Sequence, residues 1–179
     1  MFEAEAEQFR EAGVRVGVDE RSVENRLLEE ELAPFPLSVR NDAVRMARLY
    51  ALIFCFENSV RELIQKRLSE ADPDWWKTRV QQKVRTMAES RREDTLANGW
   101  LEGVNQDLLG FVDFGGLCDI ITNNWADFED LVPSQHWLRQ RLDELERARN
   151  FIAHNRLLAA PEFRRLEMYI ADWNRQVGL

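Results

Sequence analysis

Across residues 38–71, apolar side chains recur in steps of three and four: Leu49, Ile53, Phe56, Val60, Leu63, Ile64 and Leu68. That spacing gathers them on one stripe of an α-helix, whereas a strand, alternating every second residue, would scatter them over both faces. The pattern predicts a long helix stopped by Asp72-Pro73, because proline lacks a donor N–H and disfavours helical geometry in the residue before it. A long helix with one apolar stripe needs other helices to cover it.

The remaining pattern supplies them. Asp74-Trp75-Trp76 predicts a second helix with Val80, Val84, Met87 and Ala88 on its inner face, and the polar residues 90–98 read as a mobile or solvent-facing connection. Leu117, Cys118, Ile120 and Ile121 predict a short apolar helix ending near Asn123-Asn124, while Trp125 and Phe128 read as packing. Ser134 is an expected N-cap for a helix carrying Trp137, Leu138, Leu142, Leu145, Ala148 and Ile152. After Pro161, a final amphipathic helix is marked by Phe163, Leu166, Ile170, Trp173 and Val177. With only 8 Gly and 5 Pro in 179 residues, the chain has too few turn formers for a sheet protein, so the expected fold class is an all-α helical bundle.

Residues 1–36 read as an acidic N-terminal extension and residues 37–179 as the helical domain. In the extension, residues 3–12 read as a short helix, 13–18 alternate like an extended segment, and 22–32 form a second helical patch closed by Pro34 and Pro36.

Charge narrows the function. A net charge of -8 argues against coating nucleic acid non-specifically, which relies on many Lys and Arg contacts to phosphates. Residues 1–35 hold ten acids against four arginines, so most of the excess lies there. Residues 136–165 hold seven arginines against four acids, a locally basic segment in an acidic chain. The start, Met1-Phe2-Glu3, lacks the basic region of a secretory signal, and no apolar run approaches the roughly 20 residues of a membrane span. A cytoplasmic protein without membrane association is expected, with Cys55 and Cys118 as reduced core cysteines.

The basic segment contains Arg149-Asn150-Phe151-Ile152-Ala153-His154-Asn155, with one of the chain's two histidines. Cleaving RNA without metal requires a group to take the 2'-hydroxyl proton, a cation for the charge building on phosphorus, and a proton for the leaving oxygen. An imidazole, titrating near about 6.5, suits the proton transfer, and a guanidinium fork suits the phosphate. Asn150 would orient the substrate or the histidine. Five helical residues, however, set Arg149 and His154 about 140° apart, so a shared site needs either a loosened helix before His154 or a groove formed with a second chain. The plainer reading is a helix end, with Arg149 at the negative pole and Asn150 and His154 bonding to the last backbone groups. With two histidines and no cysteine cluster, the composition speaks against a protein-held transition metal, and no cofactor is expected.

The segment resembles the Arg-x4-6-His motif of the HEPN superfamily, including the polar residue after the arginine. Around it, Phe56-Glu57-Asn58-Ser59-Val60-Arg61, Trp75-Trp76, Phe114-Gly115-Gly116-Leu117-Cys118-Asp119 and Trp125 follow in the order of a branch similar to the HEPN domain joined to PIN-type nucleases in eukaryotic nuclear RNA surveillance and found in prokaryotic defence and toxin-like proteins. The resemblance covers residues 45–177. It implies a helical bundle, a homodimer, and metal-independent endoribonuclease activity in which Arg149, Asn150 and His154 are catalytic. Glu57 and Arg61, on one face by their four-residue spacing but readable from spacing alone as a surface pair, would then support that set. Arg147, Asn155 and Arg156 are further candidates for binding RNA. An antitoxin or other regulatory protein is a possible partner, although Arg156 stands where some HEPN toxins carry a modified tyrosine. The alternative is a non-catalytic HEPN adaptor binding RNA, a nucleotide or a protein.

Overall fold

A computed structural model describes residues 30–98 and 107–178 of the chain. The chain divides into two packing units, one ending at Arg45 and one running from Met46 to Leu179. The described part of the first holds a helical turn at residues 30–32, the Pro34 to Pro36 break, and the opening turns of α1 (Leu37–Ala71). The expectations for residues 3–12 and 13–18, and most of 22–32, fall outside the described residues.

In the second unit α1 buries Leu49, Ile53, Phe56, Val60, Ile64 and Leu68, the stripe its periodicity predicts. Asp72 ends it by turning its carboxylate to the chain beyond: Oδ1 accepts from Asp74 N at 2.9 Å and Oδ2 from Thr78 Oγ1 at 2.6 Å. These bonds, that from Thr78 first, hold the Asp72 carboxyl below its usual range. A single turn, α2 (Trp75–Thr78), buries Trp75 and leads into α3 (Gln82–Ala97).

The one helix expected from Asp74 is two, broken at residues 79–81, where Val80 is buried in the connection, and α3 corrects two further expectations. It runs through the polar tract read as a connection, because Glu, Arg and Ala suit a helix and because Arg91 has partners across the bundle. Met87 points outward, 41% exposed; Val84 and Ala88, four apart, occupy the buried face. A 3-10 turn (Leu108–Phe111) leads to α4 (Phe114–Asn123), and a second such turn (Trp125–Asp127) precedes α5 (Gln135–Ala153) and α6 (Ala160–Val177). Ser134 caps α5 as expected, its Oγ accepting from Trp137 N at 3.1 Å. Pro161 opens α6, and Gly178, at φ 78°, closes it by donating its N–H to Asn174 O at 3.0 Å. There is no strand among the described residues, and the chain is an all-α bundle. None of the described helices is long and apolar enough to cross a membrane.

A line of aromatic rings joins three helices and ends under a cation of a fourth. Trp173 of α6 meets Phe56 of α1 edge-on at 5.3 Å, Phe56 stacks on Phe114 of α4 at 6.2 Å, and the Arg149 guanidinium of α5 lies 5.8 Å from the Phe114 centroid. The core thus ends in a ring beneath a cation. Cys118 is buried, and burial, its largest influence, pushes its thiol up; Cys55 is exposed, because its position on α1 falls away from the buried stripe. The expectation that both cysteines are core residues therefore holds for Cys118 alone.

Candidate active site

Arg149 is half-buried and lines a groove of about 630 Å³ with Glu57 and Arg61 of α1, Arg91 of α3, Asp113 before α4, and Glu146 of α5. The surface-pair reading of Glu57 and Arg61 is corrected. Their side chains are only 16% and 17% exposed, with Arg61 Nη2 2.5 Å from Glu57 Oε1. The guanidinium also donates to Leu109 O at 3.2 Å and Val112 O at 3.1 Å, tying α1 to the segment that forms the groove wall. Periodicity could not foresee this, since the carbonyls come from about fifty residues away.

Arg91 does the same from α3, donating to Phe111 O at 3.0 Å and to Asp113 Oδ2 at 2.5 Å. Asp113 in turn N-caps α4, its Oδ1 accepting from Gly116 N at 2.9 Å. Gly116 is required there: a Cβ would come within 2.6 Å of Val112 Cγ1. Burial alone would raise the Asp113 carboxyl. The hydrogen bonds from Arg91 and Gly116, with the charges of Arg91 and Arg149, outweigh it and hold the carboxyl below its usual range.

Asp113→Ala is therefore expected to cost about 1–2 kcal/mol, mainly through the lost cap. Because the folded-state pKa is depressed, the ionised group's contribution is present above the unfolded value of about 4 and is lost as pH falls through the folded one. Urea denaturation of parent and variant at neutral pH and in acid should show the gap narrowing in acid; a gap independent of pH would refute the ionic part.

Glu146 is a groove residue that the motif did not indicate. The signal was present in its position three residues before Arg149, which places both on one face. Burial, then the Asp113 carboxylate, raise its carboxyl above the usual range; Arg149 opposes them, and Asp143 and Glu57 add to the rise. Arg149 Nε is itself buried without a hydrogen-bond partner among the described residues.

The histidine sits elsewhere. α5 continues through Ala153, and His154, at φ -90° and ψ 20°, still donates its N–H to Asn150 O at 3.2 Å. The break comes one residue later. Asn155 takes the left-handed conformation at φ 56°, its N–H bonds to Ile152 O at 2.8 Å, and Arg156 N reaches Phe151 O at 3.4 Å. That pair of backbone bonds is a Schellman closure. The helix end is thus made by backbone and Asn155, not by the side chains of Asn150 and His154 as the plainer reading had it. The His154 imidazole is exposed and makes no hydrogen bond among the described residues. Since the helix does not loosen before His154, its roughly 140° offset from Arg149 persists, and His154 does not line the Arg149 groove.

Asn150 is exposed. Arg147 is exposed and pairs with Asp143 at 2.9 Å, Asn155 serves the helix closure, and Arg156 lies over the Phe151 ring at 5.6 Å. The described residues contain no group of three or more His, Cys, Asp or Glu that could hold a metal ion.

Among protein families, the model for the Swt1-like HEPN domain matches residues 52–178. No curated protein and no solved structure matches the chain.

Proposed function

Because the chain belongs to the Swt1-like HEPN family, a membership that suggests an RNase or RNA-related role, we propose that it is a metal-independent endoribonuclease working as a homodimer. The observation that carries this reading is the half-buried Arg149 guanidinium lining a groove in which Arg61 and Arg91 already have carboxylates, while Arg149 has no such ion pair among the described residues. A guanidinium so held offers its fork to a phosphate. Arg61 and Arg91 are bound to Glu57 and Asp113 and build the walls.

In this reaction the 2'-oxygen attacks phosphorus, the charge gathering on the phosphoryl oxygens meets Arg149, and the 5'-oxygen leaves with a proton from His154. Asn150, four residues before His154 and so on its face, orients the imidazole or the substrate. The products are a 2',3'-cyclic phosphate and a 5'-hydroxyl. One straight helix cannot aim Arg149 and His154 at one phosphate, so the reaction calls for a second copy whose α5 end lies across the groove. Such a nuclease fits a cytoplasmic toxin or defence effector, held in check by an antitoxin or other regulatory protein. The exposed Arg147, Asn155 and Arg156 would contact flanking phosphates.

Incubating the purified chain with a mixed RNA pool in excess chelator tests the reading. Fragments ending in 2',3'-cyclic phosphate, with a rate per chain that rises with protein concentration until a dimer sediments, are the expected result. RNA that is bound yet intact after hours would instead favour the non-catalytic adaptor.

A further inference from the structure

The transesterification moves two protons, and His154 accounts for one. From the groove geometry we infer that Glu146 is a further catalytic residue, the base that takes the 2'-hydroxyl proton while Arg149 holds the adjoining phosphate. This rests on the endoribonuclease reading.

The pairing of charges in the groove singles Glu146 out. Of the three half-buried carboxylates there, Glu57 is bound to Arg61 and Asp113 to Arg91. Glu146 makes no hydrogen bond and no ion pair within 4 Å among the described residues, and its neighbour Arg149 carries the unpartnered Nε. Three residues along α5 set the two side chains about 60° apart, one turn from each other on the same wall, so a phosphate on Arg149 brings its ribose past Glu146. His154 of the same chain, eight residues on, lies about 80° from Glu146 and farther along the axis, at the helix end, so the acid for this groove is the imidazole that a second copy brings across it.

The charged groups around Glu146 are Glu57 and Arg61 from α1, Arg91 and Asp94 from α3, Asp113 before α4, and Asp143 and Arg149 on α5 itself. An ordinary carboxylate is a weak base toward a hydroxyl. Burial and the Asp113 charge raise the proton affinity of this one, which improves it for the task. Glu146 also borders a second cavity, of about 400 Å³, that holds the chain's other histidine, His136, with Arg139 and Cys118. His136 lies outside the Arg149 groove.

The step balances. The 2'-oxygen forms its bond to phosphorus as its proton passes to a Glu146 carboxylate oxygen, and the bond from phosphorus to the 5'-oxygen breaks as that oxygen takes a proton from the His154 imidazolium. Solvent then returns Glu146 and His154 to their starting states, with no oxidant, reductant or further reactant.

Glu146→Gln, assayed with short RNA in chelator, should lose about 10²–10³-fold in kcat, within the usual range for removing an acid–base group, with KM within a few-fold of the parent. The acid limb of the pH profile should vanish in this variant and persist in Glu146→Asp. Folding is monitored independently. A carboxyl with a raised folded pKa contributes stability below its unfolded value and loses it as pH rises through the folded one, so the glutamine variant should melt at or above the parent temperature at neutral pH. His136→Ala should cut as the parent does.

A glutamine variant that keeps kcat within threefold, or keeps the acid limb, overturns the inference. If Arg149→Ala and His154→Ala abolish cleavage while Glu146→Gln does not, Glu146 alone is wrong. If all three cut normally, the nuclease site itself is wrong.

Discussion

Arg149→Ala is expected to lower the cleavage rate by about 10²–10³-fold, the scale for removing one donor that stabilises charge in a transition state. The loss should fall on kcat more than on KM, because the guanidinium matters most once charge has built on the phosphoryl oxygens. Position explains why no neighbour would substitute. Arg61 is held by Glu57 and two backbone carbonyls, and Arg91 by Asp113 and Phe111 O, so freeing either would unmake the groove wall. Arg149→Lys should recover only part of the rate, since an ammonium restores the charge without the planar fork. Single-turnover cleavage, with RNA binding followed separately by anisotropy, distinguishes chemistry from affinity. An alanine variant that binds weakly but cuts at the parental rate when saturated would show that Arg149 only holds the RNA.

The largest effect on stability is expected at Trp173, whose replacement by alanine should cost about 3–5 kcal/mol. The ring is 1% exposed, meets Phe56 edge-on, and donates from Nε1 to Ser59 Oγ at 3.0 Å. Ser59 Oγ passes a hydrogen bond on to Phe56 O at 2.7 Å, so the indole anchors the turn of α1 that carries Glu57. Trp173→Phe keeps most of the packing and loses the indole donor, which predicts a cost of about 1–2 kcal/mol. Urea unfolding gives both values. An alanine variant within about 1 kcal/mol of the parent would show that α6 does not close the core as described.

The legible parts of the fold are those governed by local periodicity. The long helix, the Ser134 cap, the helix ending at Asn123 and the final amphipathic helix all follow from spacing and capping chemistry. The polar stretch of α3 is not legible as a helix from its own residues because its stabilising contacts are distant: Arg91 is satisfied by groups twenty or more residues away. Met87 fell on the wrong face and Cys55 proved exposed for a related reason, since an apolar neighbourhood in sequence does not say which side of a helix the core takes.

For the site, residues 149–155 and the Glu57 to Arg61 spacing were visible as a pattern. Their environments were not. Whether a Glu and an Arg four apart make a weak surface pair or a shielded clamp depends on what lies over them, here the carbonyls of Leu109 and Val112. Glu146 gave no motif signal, because its altered proton affinity comes from burial and from a carboxylate 33 positions away.

By itself, then, the sequence determined the long first helix, the helices from Phe114, Gln135 and Ala160 with their buried stripes, and the membership of the motif, since backbone hydrogen bonding and side-chain periodicity act over three or four residues. Tertiary structure decided which groove cations are tied to carboxylates, Arg61 and Arg91, and which carboxylate, Glu146, is pressed against its own kind. It also decided that the helix closes after His154 rather than before it. Those properties depend on desolvation and on charges brought together by packing, and electrostatic energies follow distance in space, not position along the chain.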